Sequence, residues 1–196
     1  MCSSDLDYTQ RVLELFRTNG FRYTLTPPRL GFDSVDDLLF NTRLGFCGHF
    51  ASAYVTMMRA AGIPARVGLS DVRNHLATPR LLEAVGTDVF SYHGYVEVQL
   101  GGRWLKATPT FNESLCAKLG VEALAFDGTR DALFQPYNGE GREFMEYVVD
   151  HGTFFDVPTK FLMSEFAQLY PALCKPGGYR GKSMEDEAEA SKAPAS

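Results

Sequence analysis

The stretch Gly45-Phe46-Cys47-Gly48-His49-Phe50 sets a cysteine between two glycines, with a histidine two positions on, at the head of an alanine-rich segment. Three fates are open to such a thiol: a buried structural residue, a metal ligand or a nucleophile. The local chemistry suits the third. Gly45 lets the chain turn into a helix whose first turn holds Cys47, where unpaired backbone N–H groups and the positive end of the dipole favour a thiolate. Gly48 leaves room for a substrate carbonyl, and the same N–H groups could hold a developing oxyanion.

A nucleophilic thiol needs a base, and the chain offers His49, His75, His93 and His151. His49 points about 200° away from Cys47 around a helix, so it reaches the thiol poorly. His75 and His151 fall in expected loops. His93 falls on an expected strand, a rigid support for a base facing a thiol on a rigid helix end. A zinc set of Cys47, His49, His75 and His93 matches no short ligand template, and Asp36, Asp37 and Asp127 lack the spacing of a calcium loop. Neither a metal nor a cofactor is expected.

The elements that must position these groups follow from periodicity. Leu6 to Arg17 reads as an amphipathic helix stopped at Asn19-Gly20, and 21–25 as a short extended piece. Ser34 reads as the cap of a short helix. Phe50, Tyr54, Met57 and Ala61 mark a helix over 47–61, ended by Gly62 and Pro64. Residues 65–69 alternate as a strand, 71–90 read as a long connection with a helical turn at 81–84, and 92–100 alternate again. Gly101-Gly102 is a hairpin loop, with 103–108 as the return strand. That loop sets Gln99 opposite Trp104, Glu97 opposite Lys106 as a structural pair, and Tyr95 opposite Thr108. Thr108 and Asn112 become diagonal neighbours of His93, Asn112 only if the strand continues past Pro109. Residues 115–119 read as helix, 126–158 mostly as loop, and 161–170 as a last helix. One domain is expected over 5–174, with 175–196 a disordered tail.

Composition narrows the class. The chain has 196 residues, 45% hydrophobic, with a net charge of -5. That is a globular domain able to bury a core, without the basic footprint of a nucleic-acid binder. The apolar run Leu44 to Met58 is too short for a bilayer. The first 30 residues lack the apolar run of a secretory leader, and the four cysteines are too sparse for a disulfide framework. A cytoplasmic protein bound to neither membrane nor nucleic acid is expected.

Three segments together, "GFCGHFASAYVTMMRAAGIPARV", "YHGYVEV" and "GRWLKATPTF", resemble in order and spacing the transglutaminase-like superfamily, the papain-related cysteine enzymes. Residues 21–67 are similar to the soluble catalytic domain of membrane-anchored bacterial members, and 71–158 to a smaller soluble bacterial branch. The resemblance implies an α+β, papain-like core in which the cysteine-bearing helix packs on an antiparallel sheet. It implies Cys47 as nucleophile and His93 as base. The third position, usually an aspartate before proline, holds Thr108, whose hydroxyl could orient an imidazole without charging it. Asn112 could serve instead, and Asn41, six residues before Cys47, matches the place of a papain-like oxyanion amide. The implied function is acyl transfer or hydrolysis on a protein or peptide amide through a thioester, with water or an amine as acceptor. The alternative is a non-catalytic binding module that keeps the fold after losing the aspartate.

Overall fold

The computed structural model describes residues 3–24, 27–28, 33–110, 113–133, 141, 143–155 and 158–171. Asn112, Cys2, Cys174 and the segment 175–196 lie outside the described residues. Helix α1 (Ser3–Thr18) leads to a short strand β1 (Arg22–Tyr23), then α2 (Ser34–Asp36), which continues as a π-helical turn over Asp37–Thr42. Strand β2 (Leu44–Gly45) pairs in parallel with β1 and runs straight into helix α3 (Cys47–Ala60). The cap of α2 is Asp33 rather than Ser34. Its Oδ1 accepts from the N–H groups of Val35 and Asp36 at 3.2 and 3.1 Å, and a carboxylate there also meets the helix dipole.

Helix α3 is the hub of the core. Phe50, Ala51, Ala53, Tyr54, Val55 and Met58 are all buried. Its alanines let α1 and the sheet approach closely. Phe16 of α1, Phe21 and Phe50 meet edge to face, with centroids 5.1 to 6.2 Å apart. Gly62 ends the helix at φ 78°, and the Ile63 N–H returns to the Met58 carbonyl at 2.9 Å. Left-handed backbone of this kind is what glycine at a helix end supplies.

Beyond it lie β3 (Ala65–Asn74), α4 (Pro79–Val85), β4 (Val89–Leu100), β5 (Arg103–Ala107), α5 (Glu113–Leu119), β6 (Met145–Phe154) and α6 (Thr159–Leu169). The four long strands form an antiparallel sheet in the order β5-β4-β3-β6. The fold is therefore α+β, with the cysteine-bearing helix on the sheet, as expected. Two expectations need correction. β3 runs on to Asn74 where a connection was expected, and residues 145–154 form a strand where a loop was expected. β6 lies at a sheet edge, with Val148 and Val149 over 40% exposed, so it lacks the buried alternation that marks a strand in sequence. Among the described residues, no helix is long and apolar enough to cross a membrane.

The Gly101-Gly102 loop gives the register it dictates, from Leu100–Arg103 to Val96–Ala107. One face of the sheet, with Val96, Val98 and Leu100, joins the core. The other is a polar and aromatic row. Glu97 lies across from Lys106 but pairs with Arg66 at 2.7 Å, and Arg66 lies over the Trp104 ring. Lys106 pairs instead with Asp150. The expected Glu97–Lys106 pair is thus replaced: Glu97 pairs with Arg66 on the adjacent β3, and Lys106 with Asp150 on β6.

Gly68 is fixed by this row. A Cβ there would run into the Tyr95 ring, whose hydroxyl is held by Asp150 at 2.8 Å. Gly68→Ala is expected to destabilise the fold by about 2 kcal/mol through overpacking. Tyr95→Leu in the same chain should recover part of that loss, and a cycle of denaturant melts measures the coupling.

Candidate active site

The site is built where β5 leaves the sheet. Pro109 cannot donate to a ladder, and pairing stops at Ala107. Thr108 turns away, its N–H going to the Ala132 carbonyl at 3.0 Å. On β4, the Gln99 N–H points to Pro64 on the β3 side. Alternation then directs the N–H groups of Val98, Val96 and Gly94 toward β5. β5 is gone at the level of Gly94, and the Gly94 N–H instead pulls the Cys47 thiol toward the thiolate.

The Gly48 N–H, the residue's own N–H and the Tyr23 hydroxyl favour the thiolate in the same way. Tyr23 is buried and reaches Cys47 because β1 pairs with β2 at Tyr23–Gly45, just before the helix. Contact between the two elements is close enough that a Cβ on Gly94 would lie 3.3 Å from the backbone of Cys47 and Gly48. Gly94 thus lets the helix end reach the strand.

Electrostatically, burial wins at rest. Desolvation pushes the Cys47 thiol above its usual value, although the Gly94 and Gly48 N–H groups and the Tyr23 hydroxyl all pull it down. This corrects the expectation that the helix-start N–H groups and His93 lower it. Burial also drives His93 down to about 3. At rest Cys47 is thus a thiol and His93 a neutral imidazole. Tyr23 is raised well above its ordinary value, by burial first and then by Cys47.

His93 is 6% exposed. The Tyr147 ring of β6 stands edge-on to it, with centroids 6.4 Å apart. Thr108 is buried, and its hydroxyl is 3.1 Å from the Tyr147 hydroxyl. The structure thus links Thr108 to His93 through Tyr147. Asn41 lies at the surface, its amide donating to Asp37 Oδ1 at 2.7 Å. His49 Nδ1 accepts the Phe46 N–H at 3.2 Å and caps its own helix. His75 pairs with Glu146 and Glu143 away from the thiol. Among the described residues no cluster of metal-ligating side chains forms. Sequence reasoning missed Tyr23 and Tyr147, since neither lies at a telling spacing from Cys47 or His93.

Two outcomes follow. Unfolded histidine binds a proton near pH 6.5 and folded His93 only near pH 3, so the unfolded chain binds more protons between those values. Stability at His93 is full above about pH 6.5 and falls as the pH drops, by about 1.4 kcal/mol per unit. Urea melts of wild type and His93→Gln over that window should show the extra slope only in wild type. Separately, Tyr23→Phe removes a donor to the thiolate. It should slow Cys47 alkylation at neutral pH by about tenfold with the fold retained.

The family model of the transglutaminase-like superfamily matches residues 2–109. Over 108 residues the chain is 41% identical to a protein-glutamine gamma-glutamyltransferase of Pseudomonas aeruginosa, which covers 51% of this chain and 15% of that protein. Over 63 residues it is 41% identical to the uncharacterized protein YebA of Bacillus subtilis, covering 31% of this chain and 8% of that one. A crystal structure of the periplasmic domain of TgpA from Pseudomonas aeruginosa is 38% identical, covers 52% of this chain and 35% of that chain, and superposes with a TM-score of 0.41. The chain thus spans 15% or less of the length of the curated relatives it matches. With more than half of its residues inside the family match, the chain belongs to the transglutaminase-like superfamily.

Proposed function

We propose that the protein is a cysteine-dependent acyltransferase or hydrolase acting on protein or peptide amides. The observation that carries this reading is the setting of Cys47, at a helix start packed on the strand of His93, where the N–H groups of Gly94 and Gly48 and the Tyr23 hydroxyl favour its thiolate. Donors so placed stabilise a thiolate, and they stand ready for an oxyanion beside it. The 41% identity to a protein-glutamine gamma-glutamyltransferase supports a side-chain carboxamide as the acyl donor.

In this reading His93, neutral at rest, takes the thiol proton as Cys47 attacks the amide carbon. The carbonyl π electrons move to oxygen, and the donors hold the resulting oxyanion. Collapse breaks the C–N bond, and the imidazolium returns its proton to the leaving nitrogen. A thioester on Cys47 remains. Water then gives hydrolysis, and an amine gives transamidation. Thr108 steadies the imidazole through Tyr147 and adds no charge, so the pair works as acid and base rather than as a standing ion pair.

The test is acid quench and intact-mass spectrometry of the protein mixed with a glutamine-containing peptide. A thioester adduct on Cys47 is expected, absent in Cys47→Ala, and formed at least about a hundredfold more slowly in His93→Ala. In Thr108→Asp, a nearby carboxylate should raise the His93 pKa and speed formation. Lack of any adduct, with Cys47 no more reactive than Cys116, would contradict the reading and favour a binding module.

A further inference from the structure

The residue before His93 has a strained backbone. Tyr92 has φ 59°, a left-handed conformation that aromatic side chains rarely adopt. It sits in a bulge: Ser91 and Tyr92 of β4 together oppose Asp71 of β3, between the pairs Ser70–His93 and Val72–Phe90. β6 is irregular one step away, where His151 and Gly152 together oppose Leu69 between the pairs Gly68–Thr153 and Ser70–Asp150. Bulges re-aim side chains, and these two converge on one carboxylate.

Asp71 Oδ1 accepts the Tyr92 N–H at 3.0 Å and the His151 Nε2–H at 2.8 Å. The His151 ring stacks on the Tyr92 ring, with centroids 4.9 Å apart and planes at 28°. Helix α6 closes the other side, with Phe161 and Phe166 edge-on to Tyr92 at 6.0 and 5.8 Å. Glu165 accepts from the Tyr92 hydroxyl at 3.2 Å, and the Tyr170 hydroxyl accepts the Ser91 N–H. Three strands and a helix thus hold one unfavourable backbone angle, which would otherwise relax.

We propose that Asp71 and His151, with Tyr92 clamped between His151 and α6, form a positioning unit that fixes the backbone entering His93 and so sets the imidazole relative to Cys47. The inference rests on the reading of Cys47 and His93 given above. These three are positioning residues and need not touch substrate. Relaxing Tyr92 to an extended angle would turn the peptide ahead of His93. That would displace both the imidazole and the Gly94 N–H that the thiol uses. A merely structural bulge would be served better by glycine at 92, whose left-handed angle is unstrained.

The test uses the full chain with Asp71→Ala, Asp71→Asn, His151→Ala and Tyr92→Gly. Three quantities are followed: the His93 Cε1–H resonance, the rate of Cys47 alkylation by iodoacetamide against pH, and thermal melting. Asp71→Ala and His151→Ala should shift the His93 resonance and slow alkylation by about ten- to a hundredfold. Asp71→Asn keeps an acceptor for the Tyr92 N–H and should recover most of the rate. Tyr92→Gly should melt no lower than Asp71→Ala yet show the same loss of rate. An unmoved His93 resonance with unchanged alkylation in Asp71→Ala and His151→Ala would overturn the proposal, as would Tyr92→Gly at full rate. Failure of the underlying reading has a separate signature, alkylation indifferent to His93→Ala. In that event the His93 resonance alone decides whether Asp71 and His151 place the ring.

Discussion

The closest approach in the molecule that matters is backbone to backbone. The start of α3 rests on β4 at Gly94, where a Cβ would lie 3.3 Å from the helix backbone, beside the point where β5 leaves the ladder. β4–β5 pairing ends at Val96–Ala107, and beyond it the Gly94 N–H, next in line to the strand residue His93, favours the Cys47 thiolate. The order β5-β4-β3-β6 supplies the remaining parts. β3 brings Asp71 to the bulge beside His93, and β6 brings Tyr147 against the His93 ring and His151 onto Asp71.

Two opposing effects meet at Cys47. Burial disfavours the thiolate, while the converging N–H groups and the Tyr23 hydroxyl favour it, and at rest burial prevails. Burial also keeps His93 neutral. A neutral imidazole is the form able to accept a proton, which is the role the proposed function gives it. Threonine at 108 is consistent with that design. A carboxylate there would favour the charged imidazole, whereas the Thr108 hydroxyl against Tyr147 only restrains its surroundings.

Much of the frame was legible in the sequence because it is local. The periodicity of Phe50, Tyr54 and Met57 with Gly62 as a stop marks α3, and Gly101-Gly102 sets the hairpin register. Pro109 marks where the ladder weakens. What could not be read is non-local or masked by exposure. β6 shows solvent much of its surface, so it lacks alternation. Tyr23 lies 24 residues before Cys47 and meets it only because two short strands pair in parallel. Asp71, Tyr92 and His151 meet through bulges, which no spacing rule announces. The sign of the Cys47 shift was misjudged for the same reason, since a helix start is visible in sequence and the depth of burial around it is not.

The central claim is that the Gly94 N–H is directed at the Cys47 sulfur rather than at a strand. Following the Gly94 ¹⁵N–¹H resonance with pH tests it directly. The account predicts that this resonance titrates with the Cys47 thiol, at a pH above that of an exposed cysteine, and that the response disappears in Cys47→Ala. A Gly94 resonance that stays fixed while Cys47 ionises would contradict it.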